Sequence, residues 1–177
     1  CFLLAVEDNL DSILDNAKTE MRIFKNGSGA GLNISKLRGK TEYITGGGRS
    51  SGANSFNQIF DSVAKSIKSG GAVRRSARMV VMNDNHPDIE EFILCKSKEE
   101  EKAKILINHG YENGPAGEAY STVSYQNGNH SVKITDKFLE AVEKDDDWNL
   151  IHVTDGEINK TIKAKYLWNL IDSEAHM

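Results

Sequence analysis

Apolar residues along the chain fall into two kinds of run, short unbroken ones and longer ones with helical spacing. Residues 1 to 6, CFLLAV, form an unbroken run that predicts a buried strand. From Leu10 the apolar positions Leu10, Ile13, Leu14, Ala17, Met21 and Phe24 recur at intervals that place them on one face of a helix. A cap near Asp8 or Asn9 and a stop at Gly27 bound that helix. Phe56, Ile59, Phe60, Val63 and Ile67 make the stripe of a second helix, broken at Gly70-Gly71. Ala77 to Met82 predicts a strand, and His86-Pro87-Asp88 followed by Glu90 and Glu91 predicts a helix start. A separate helix is expected over Lys98 to Asn108. No periodicity survives between His109 and Asn129, and so long a loop in a compact domain usually serves function. Ser131 to Ile134 returns to strand, and Thr135 caps a helix through Val142. Trp148 to Val153 pairs with Ile158 to Lys163 as a hairpin across Asp155-Gly156, and Ala164 to Ala175 is a last amphipathic helix. Strands and helices alternate with little repetition, which predicts the α/β class.

Two glycine-rich stretches interrupt the pattern. Gly27-Ser28-Gly29-Ala30-Gly31 follows a helix, so it is not the dinucleotide-binding turn, which follows a strand and opens a helix. Two readings remain: a helix end running into a loop, or backbone amides left bare for a phosphate or ribose. The second stretch, Gly46 to Gly52, has no Gly-Lys-Ser/Thr ending and is not a Walker A loop. Arg74, Arg75 and Arg78 suit either a solvated turn or a phosphate clamp. The five histidines lack metal-ligand spacing, so no metal is expected. The acidic runs Glu99-Glu100-Glu101 and Asp145-Asp146-Asp147 read as solvated faces.

Composition narrows the classes. The 177 residues carry a net charge of −4, which gives no global reason to bind a nucleic-acid polymer or an anionic membrane. Hydrophobic residues at 38% and charged residues at 27% describe a folded soluble chain. The apolar start is too short for a signal peptide or a membrane span. Two cysteines, Cys1 and Cys95, make no disulfide framework, and a reducing cytoplasm is the expected location.

Several segments, taken in order, resemble the catalytic subunits of ribonucleotide reductases. They are Cys1 to Asp8 (CFLLAVED), Gly27 to Asn33 (GSGAGLN) with Ser35 to Gly39 (SKLRG), and Gly46 to Gly52 (GGGRSSG). Ile67 to Arg75 (IKSGGAVRR), His86 to Ile93 (HPDIEEFI), Gln126-Asn127 and Asn129 to Val132 (NHSV) continue the match nearly end to end. Lys-Ser-Gly-Gly with paired arginines, followed by His-Pro-Asp-Ile-Glu, resembles the adenosylcobalamin-dependent class in particular.

The resemblance implies that residues 1–177 are part of the family's ten-stranded α/β barrel, with the Cys1 strand on its concave side. It implies that Cys1 is one of two thiols that reduce the ribose and end as a disulfide, a two-electron exchange suited to replacing a 2′-hydroxyl. Ser28 and Gly29 match the backbone that lies against the ribonucleotide substrate. Asp8 matches a contact to the allosteric deoxynucleotide, and Arg38 the arginine on that effector's phosphates. The helices over 10–25 and 54–68 would then form a homodimer interface. Residues 36–49 correspond to a first specificity loop, and the patternless stretch ending near His130 contains a second. A thioredoxin-like reductant and a diphosphate substrate complete the picture.

The family's Asn-Pro-Cys radical segment does not occur in the chain, nor does the partner of Cys1. Most of the cobalamin site would also lie elsewhere, and the segment is expected to be inactive alone. Cys95 matches no redox position and reads as a packed thiol. A different class remains open, a non-catalytic nucleotide-sensing module that dimerises around the effector. The chain reads as a piece of a longer protein. A first-residue cysteine suits the acceptor nucleophile that follows a protein-splicing element, and simple truncation is the other reading.

Overall fold

The computed structural model describes residues 1–67, 76–114 and 117–175. Its elements in order are β1 (Phe2–Ala5), α1 (Leu10–Lys25), β2 (Ala30–Asn33), α2 (Ala53–Ser66), β3 (Arg78–Asn83) and α3 (Ile89–Asn108). They continue with α4 (Glu118–Thr122), β4 (Asn129–Lys133), α5 (Asp136–Lys144), β5 (Asp147–Ile151), β6 (Ile158–Lys163) and α6 (Ala164–Ala175). Strands β1 to β4 form one parallel sheet in chain order, while β5 and β6 make an antiparallel hairpin.

The caps expected from sequence are in place. Asn9 Oδ1 accepts from Ser12 N at 2.8 Å and starts α1. Gly27, at φ 80°, takes the left-handed turn that ends it. Thr135 Oγ1 accepts from Phe138 N at the start of α5. The hairpin turns through Gly156 at φ 76°. The two helices expected over 86–108 are one continuous α3, because the polar residues between Cys95 and Lys98 break the apolar pattern without breaking the backbone.

Alternation along the strands gives the sheet two unlike faces. Ala30 and Leu32 of β2, and Val80 and Met82 of β3, are buried. Helix α1 packs on β1 and β2, and α3 packs on β3. On the opposite face, Leu3, Gly31, Met79 and Asn129 lie in one register row. Leu3 is 94% exposed and Met79 45% exposed, so this face is open. Parallel sheets are normally covered on both faces. A parallel sheet covered on one side is what a sector of an α/β barrel looks like when the rest of the barrel is not part of the chain. The strand expected to be buried is not: Phe2 and Leu3 of β1 are exposed and only Val6 of that run is buried. Strand β1 is an edge, so it receives cover from one neighbour only.

Irregular segments are held by buried carboxylates. Glu42, 2% exposed, accepts from Gly39 N (2.6 Å), Val153 N (3.1 Å), Thr154 N (2.8 Å) and Thr154 Oγ1 (2.7 Å). Burial alone would raise its pKa, but these donors outweigh burial and hold it below the ordinary carboxylate value. Asp88 accepts from Lys40 N (2.9 Å) and Ala53 N (3.0 Å), fixing both ends of the 40–53 loop to the start of α3.

Two histidines are held in neutral form, His86 buried and His130 half-buried. His86 Nε2 donates to Leu37 O at 2.9 Å and Nδ1 accepts from Asp88 N at 3.0 Å, a pairing that only the neutral ring can make. Burial pushes its pKa down. His130 stacks on Phe92 with ring centroids 4.7 Å apart. Arg78 Nη2 donates to Asn57 Oδ1, which turns the Asn57 amide so that its Nδ2 donates to His130 Nε2 at 3.3 Å. The His130 proton therefore sits on Nδ1, toward Cys95 Sγ at 3.4 Å. Burial, reinforced by the charges of Lys96 and Arg78, pushes the His130 pKa down to about 3.

Below the unfolded histidine value of about 6.5 the unfolded chain takes up protons that the folded chain refuses. Unfolding free energy should therefore fall as pH falls from about 6.5, by up to about 1.4 kcal/mol per pH unit for each of these histidines. Urea titrations between pH 7.5 and 5 check this, and His130→Gln should flatten the slope. Separately, Glu42→Ala strands four donors between the 39–42 loop and the hairpin turn. It should cost at least about 2 kcal/mol in thermal or urea unfolding.

Candidate functional site

The register of the sheet sorts the expected site residues into two groups at opposite ends. Phe2, Ala30 and Arg78 pair across β1, β2 and β3, so Cys1, Gly29 and Ala77 lie side by side at the strand starts. Phe2 N donates to Gly29 O at 2.8 Å and Ala30 N to Ala77 O at 3.0 Å. Gly29 has no room for a side chain. A Cβ there would sit 2.9 Å from Ala77 O and 3.1 Å from Cys1 Sγ. This glycine is required by close approach, to the Ala77 main chain first and to the thiol next. Cys1 is exposed. Ser28, half-buried, is anchored through its N–H to Ile23 O at 3.1 Å. Cys1, Ser28 and Gly29 are thus brought together, an exposed cysteine beside a half-buried serine and a buried glycine.

The second group lies past the strand ends. Seven residues separate Cys1 from Asp8, about 20 Å along the strand direction. Asp8 Oδ2 accepts from Arg38 Nε at 2.5 Å, and Asp8 Oδ1 from Arg38 N at 3.1 Å. Arg38 Nη1 donates to Tyr43 O at 3.1 Å. Asp8 therefore orients Arg38 by its Nε edge and its backbone, and no described residue takes a hydrogen bond from Nη2. Lys36 pairs with Glu7 at 2.5 Å, and the Arg49 guanidinium lies 5.6 Å from the centre of the Tyr43 ring. Tyr43 is 71% exposed. Cations and an exposed aromatic face, carried on a loop whose base is fixed by Glu42 and Asp88, suit a ligand with a phosphate and a flat ring.

Three sequence readings need correction. Arg78 is neither a clamp nor a solvated turn: its side chain is fully buried against Glu20, with Nε 3.3 Å from the carboxylate and the guanidinium 5.5 Å from the centre of Phe60. Burial lowers the Arg78 pKa and raises that of Glu20, each effect opposed by the partner's charge. Arg74 and Arg75 lie outside the described residues. The 99–101 run is not simply solvated, because Glu99 accepts from Ser124 N at 3.0 Å and Glu100 from Tyr120 Oη at 2.6 Å. The patternless stretch contains a short helix, α4.

Glu20, Glu42 and Asp88 were missed as organisers. A signal existed for Glu20, which falls on the buried stripe of α1 with Ile13, Ala17 and Phe24, where a carboxylate must find a cation. Among the described residues, no group of three or more histidine, cysteine or acidic side chains is arranged to hold a metal. No described helix is long and apolar enough to cross a membrane.

Comparison with known proteins gives the same picture from sequence alone. Residues 1–174 match the family model of the ribonucleotide reductase barrel domain. A vitamin B12-dependent ribonucleotide reductase of Streptomyces avermitilis is 46% identical over 168 residues, covering 95% of this chain and 17% of that protein. A vitamin B12-dependent ribonucleoside-diphosphate reductase of Thermoplasma acidophilum is 36% identical over 176 residues, 99% of this chain and 20% of that protein. The large chain of the ribonucleoside-diphosphate reductase of Cryptosporidium parvum is 29% identical over 195 aligned positions, 97% of this chain and 22% of that protein. The chain spans about a fifth of the length of these relatives. With a parallel sheet open on one face, a thiol against a glycine at the strand starts and a family match over nearly every residue, the chain belongs to the ribonucleotide reductase barrel-domain family.

Proposed function

We propose that this chain is part of a vitamin B12-dependent ribonucleotide reductase that converts ribonucleotides to 2′-deoxyribonucleotides, and that its two sheet ends divide the work. The observation that carries the reading is the placement of the Cys1 thiol beside Gly29, so close that a Cβ on the glycine would come within 3.1 Å of the sulfur. In this reading the ribose lies against the exposed Cys1 and the half-buried turn at Ser28 that leads into Gly29. Cys1 and a second thiol from elsewhere in the protein supply two electrons and two protons: the 2′-hydroxyl leaves as water, a C–H bond replaces it, and the thiols close to a disulfide. Ser28 and Gly29 hold the substrate by main-chain contacts. A diphosphate substrate and a thioredoxin-like reductant that reopens the disulfide belong to the same reading, as does a cytoplasmic setting.

Arg38, steered by Asp8, takes the phosphates of a deoxynucleotide effector, with Tyr43 available to its base. The outer stripe of α1 and α2 supports a homodimer around that site. Leu10 is 66% exposed and Leu14 58%, and Met21 and Ile59 are also exposed, beside the buried stripe that faces the sheet. Four exposed apolar side chains on two helices are more than a solvated face needs.

Adenosylcobalamin supplies the radical when bound, and most of its site would be formed by parts of the protein outside this chain. The cleft of about 950 Å³ between α3, β4 and α6 mixes charged side chains, Lys96, Glu100, Lys104 and Glu174, with apolar ones, Phe92, Ile93, Val132 and Ile171. The contribution of this chain is the thiol, the substrate backbone and the effector arginine.

In the complete reductase, Cys1→Ser should stop multiple turnover with a dithiol reductant while effector affinity, read by calorimetry, stays unchanged. Loss of both together would contradict the division between sheet ends. Arg38→Ala should weaken effector binding by roughly 1.5 to 3 kcal/mol and blunt specificity switching more than basal reduction. Unchanged effector affinity would remove Arg38 from the site.

A further inference from the structure

Helix α2 touches both ends of the sheet. Its first N–H, from Ala53, donates to Asp88 Oδ2, and the same carboxylate holds Lys40 N at the base of the loop that carries Arg38. About 20 Å further on, at α2's other end, Ile67 O accepts from Ser76 Oγ at 2.7 Å, two residues before β3 begins. Along its length the helix grips the segment that leads into β4. Tyr125 Oη donates to Asn54 O at 3.1 Å, Gln58 Nε2 to Ser124 Oγ at 2.7 Å, and Lys65 Nζ to Ser121 O. The grip at Asp61 is two-pronged. Its Oδ1 accepts from Asn127 N at 2.9 Å and its Oδ2 from Asn127 Nδ2 at 3.1 Å, and Asp61 is 2% exposed.

Asn127 stands two residues before Asn129, which pairs with Met79. It is therefore level with Ala77, Gly29 and Cys1, at the thiol end of the sheet. Between the anchors, Tyr125 holds φ 61°, a left-handed conformation that non-glycine residues adopt at a cost. The segment is thus tied by exchangeable polar contacts around a strained residue, which gives it a second arrangement to relax into. Few apolar side chains fix it: Ala119 and Val123 are buried, but residues 124–128 add none that is fully buried.

We propose that Asp61 is a specificity-determining positioning residue: through its two-point grip on Asn127 it passes the placement of α2, set by the Arg38 loop, to the chain entering the thiol end of the sheet. This rests on the reading of Arg38 as an effector contact and of Cys1 as the reducing thiol. Helix α2 acts as a rigid rod between the two, and coupling of this kind requires an element that both sites bias.

The test uses the complete reductase carrying this segment, with dGTP and dTTP in turn as effectors and a mixture of the four ribonucleotides as substrates. In Asp61→Ala the effector-induced change in product ratio should shrink by about tenfold, the scale of a typical coupling. Its effector Kd and its effector-free rate should stay within about twofold, a spread too small to count as coupling. Asn127→Asp, which sets two carboxylates against each other, should also lose the change in ratio. Combining Asp61→Asn with Asn127→Asp rebuilds both hydrogen bonds, the side-chain one with donor and acceptor exchanged and the main-chain N–H of position 127 donating to the new amide oxygen at position 61, and should restore most of it. Full switching in folded Asp61→Ala would overturn the proposal. A fall in ratio, effector-free rate and thermal midpoint together, not rescued by the exchanged pair, would also overturn it, because that is the signature of a structural staple. A wild-type enzyme that binds neither dGTP nor dTTP would instead sink the Arg38 reading on which the proposal stands.

Discussion

Parallel pairing is the constraint from which the rest follows. Two neighbouring strands can run the same way only if the chain between them travels back the full length of the sheet. All four strand starts therefore gather at one end and all four strand ends at the other. A cysteine placed before β1 meets a glycine placed before β2, although 28 residues separate them in sequence. An aspartate placed after β1 meets an arginine placed after β2 for the same reason. The crossover helices α1 and α2 are then obliged to lie along the sheet, and α2 in particular to reach from one end to the other.

Three buried carboxylates inside this frame are heavily used. Glu42, Asp88 and Asp61 each accept from main-chain N–H donors of segments that have no partner strand or helix of their own. An irregular segment must place its backbone donors somewhere, and a buried carboxylate with four lone-pair sites is an efficient acceptor. Glu20 and Arg78 play a different part. Their fully buried pair joins α1 to β3 across the interior, and removing either partner would leave a bare charge in the core.

What was legible in the sequence was local. The caps at Asn9 and Thr135, the stop at Gly27 and the turn at Gly156 each depend on one or two residues whose chemistry has a single conformational outcome. The stripe of α1 was legible as a helix but not as two surfaces, because Leu10 and Leu14 look the same as Ile13 until the position of the sheet is known. The extent of α3 was hidden by a polar interval that the backbone ignores. Side-chain anchors between distant segments, such as Asp61 with Asn127, carry no periodicity and leave no trace in a single sequence. The roles of Cys1, Ser28, Gly29, Asp8 and Arg38 came from resemblance, and what the structure adds is that they assemble into two compact groups.

Cys95 bears on the thiol exchange proposed for Cys1. The residue is 6% exposed, its sulfur donates to Phe92 O at 3.1 Å, and burial pushes its pKa up to about 12. At neutral pH about one copy in 10⁵ carries the nucleophilic thiolate. A spare cysteine in a reducing enzyme is a hazard, since it can capture the wrong partner and end the cycle in a dead-end cross-link. Walling this one behind Phe92 and His130 makes it chemically silent, so an alkylating probe offered to the folded chain would find a single sulfur to label.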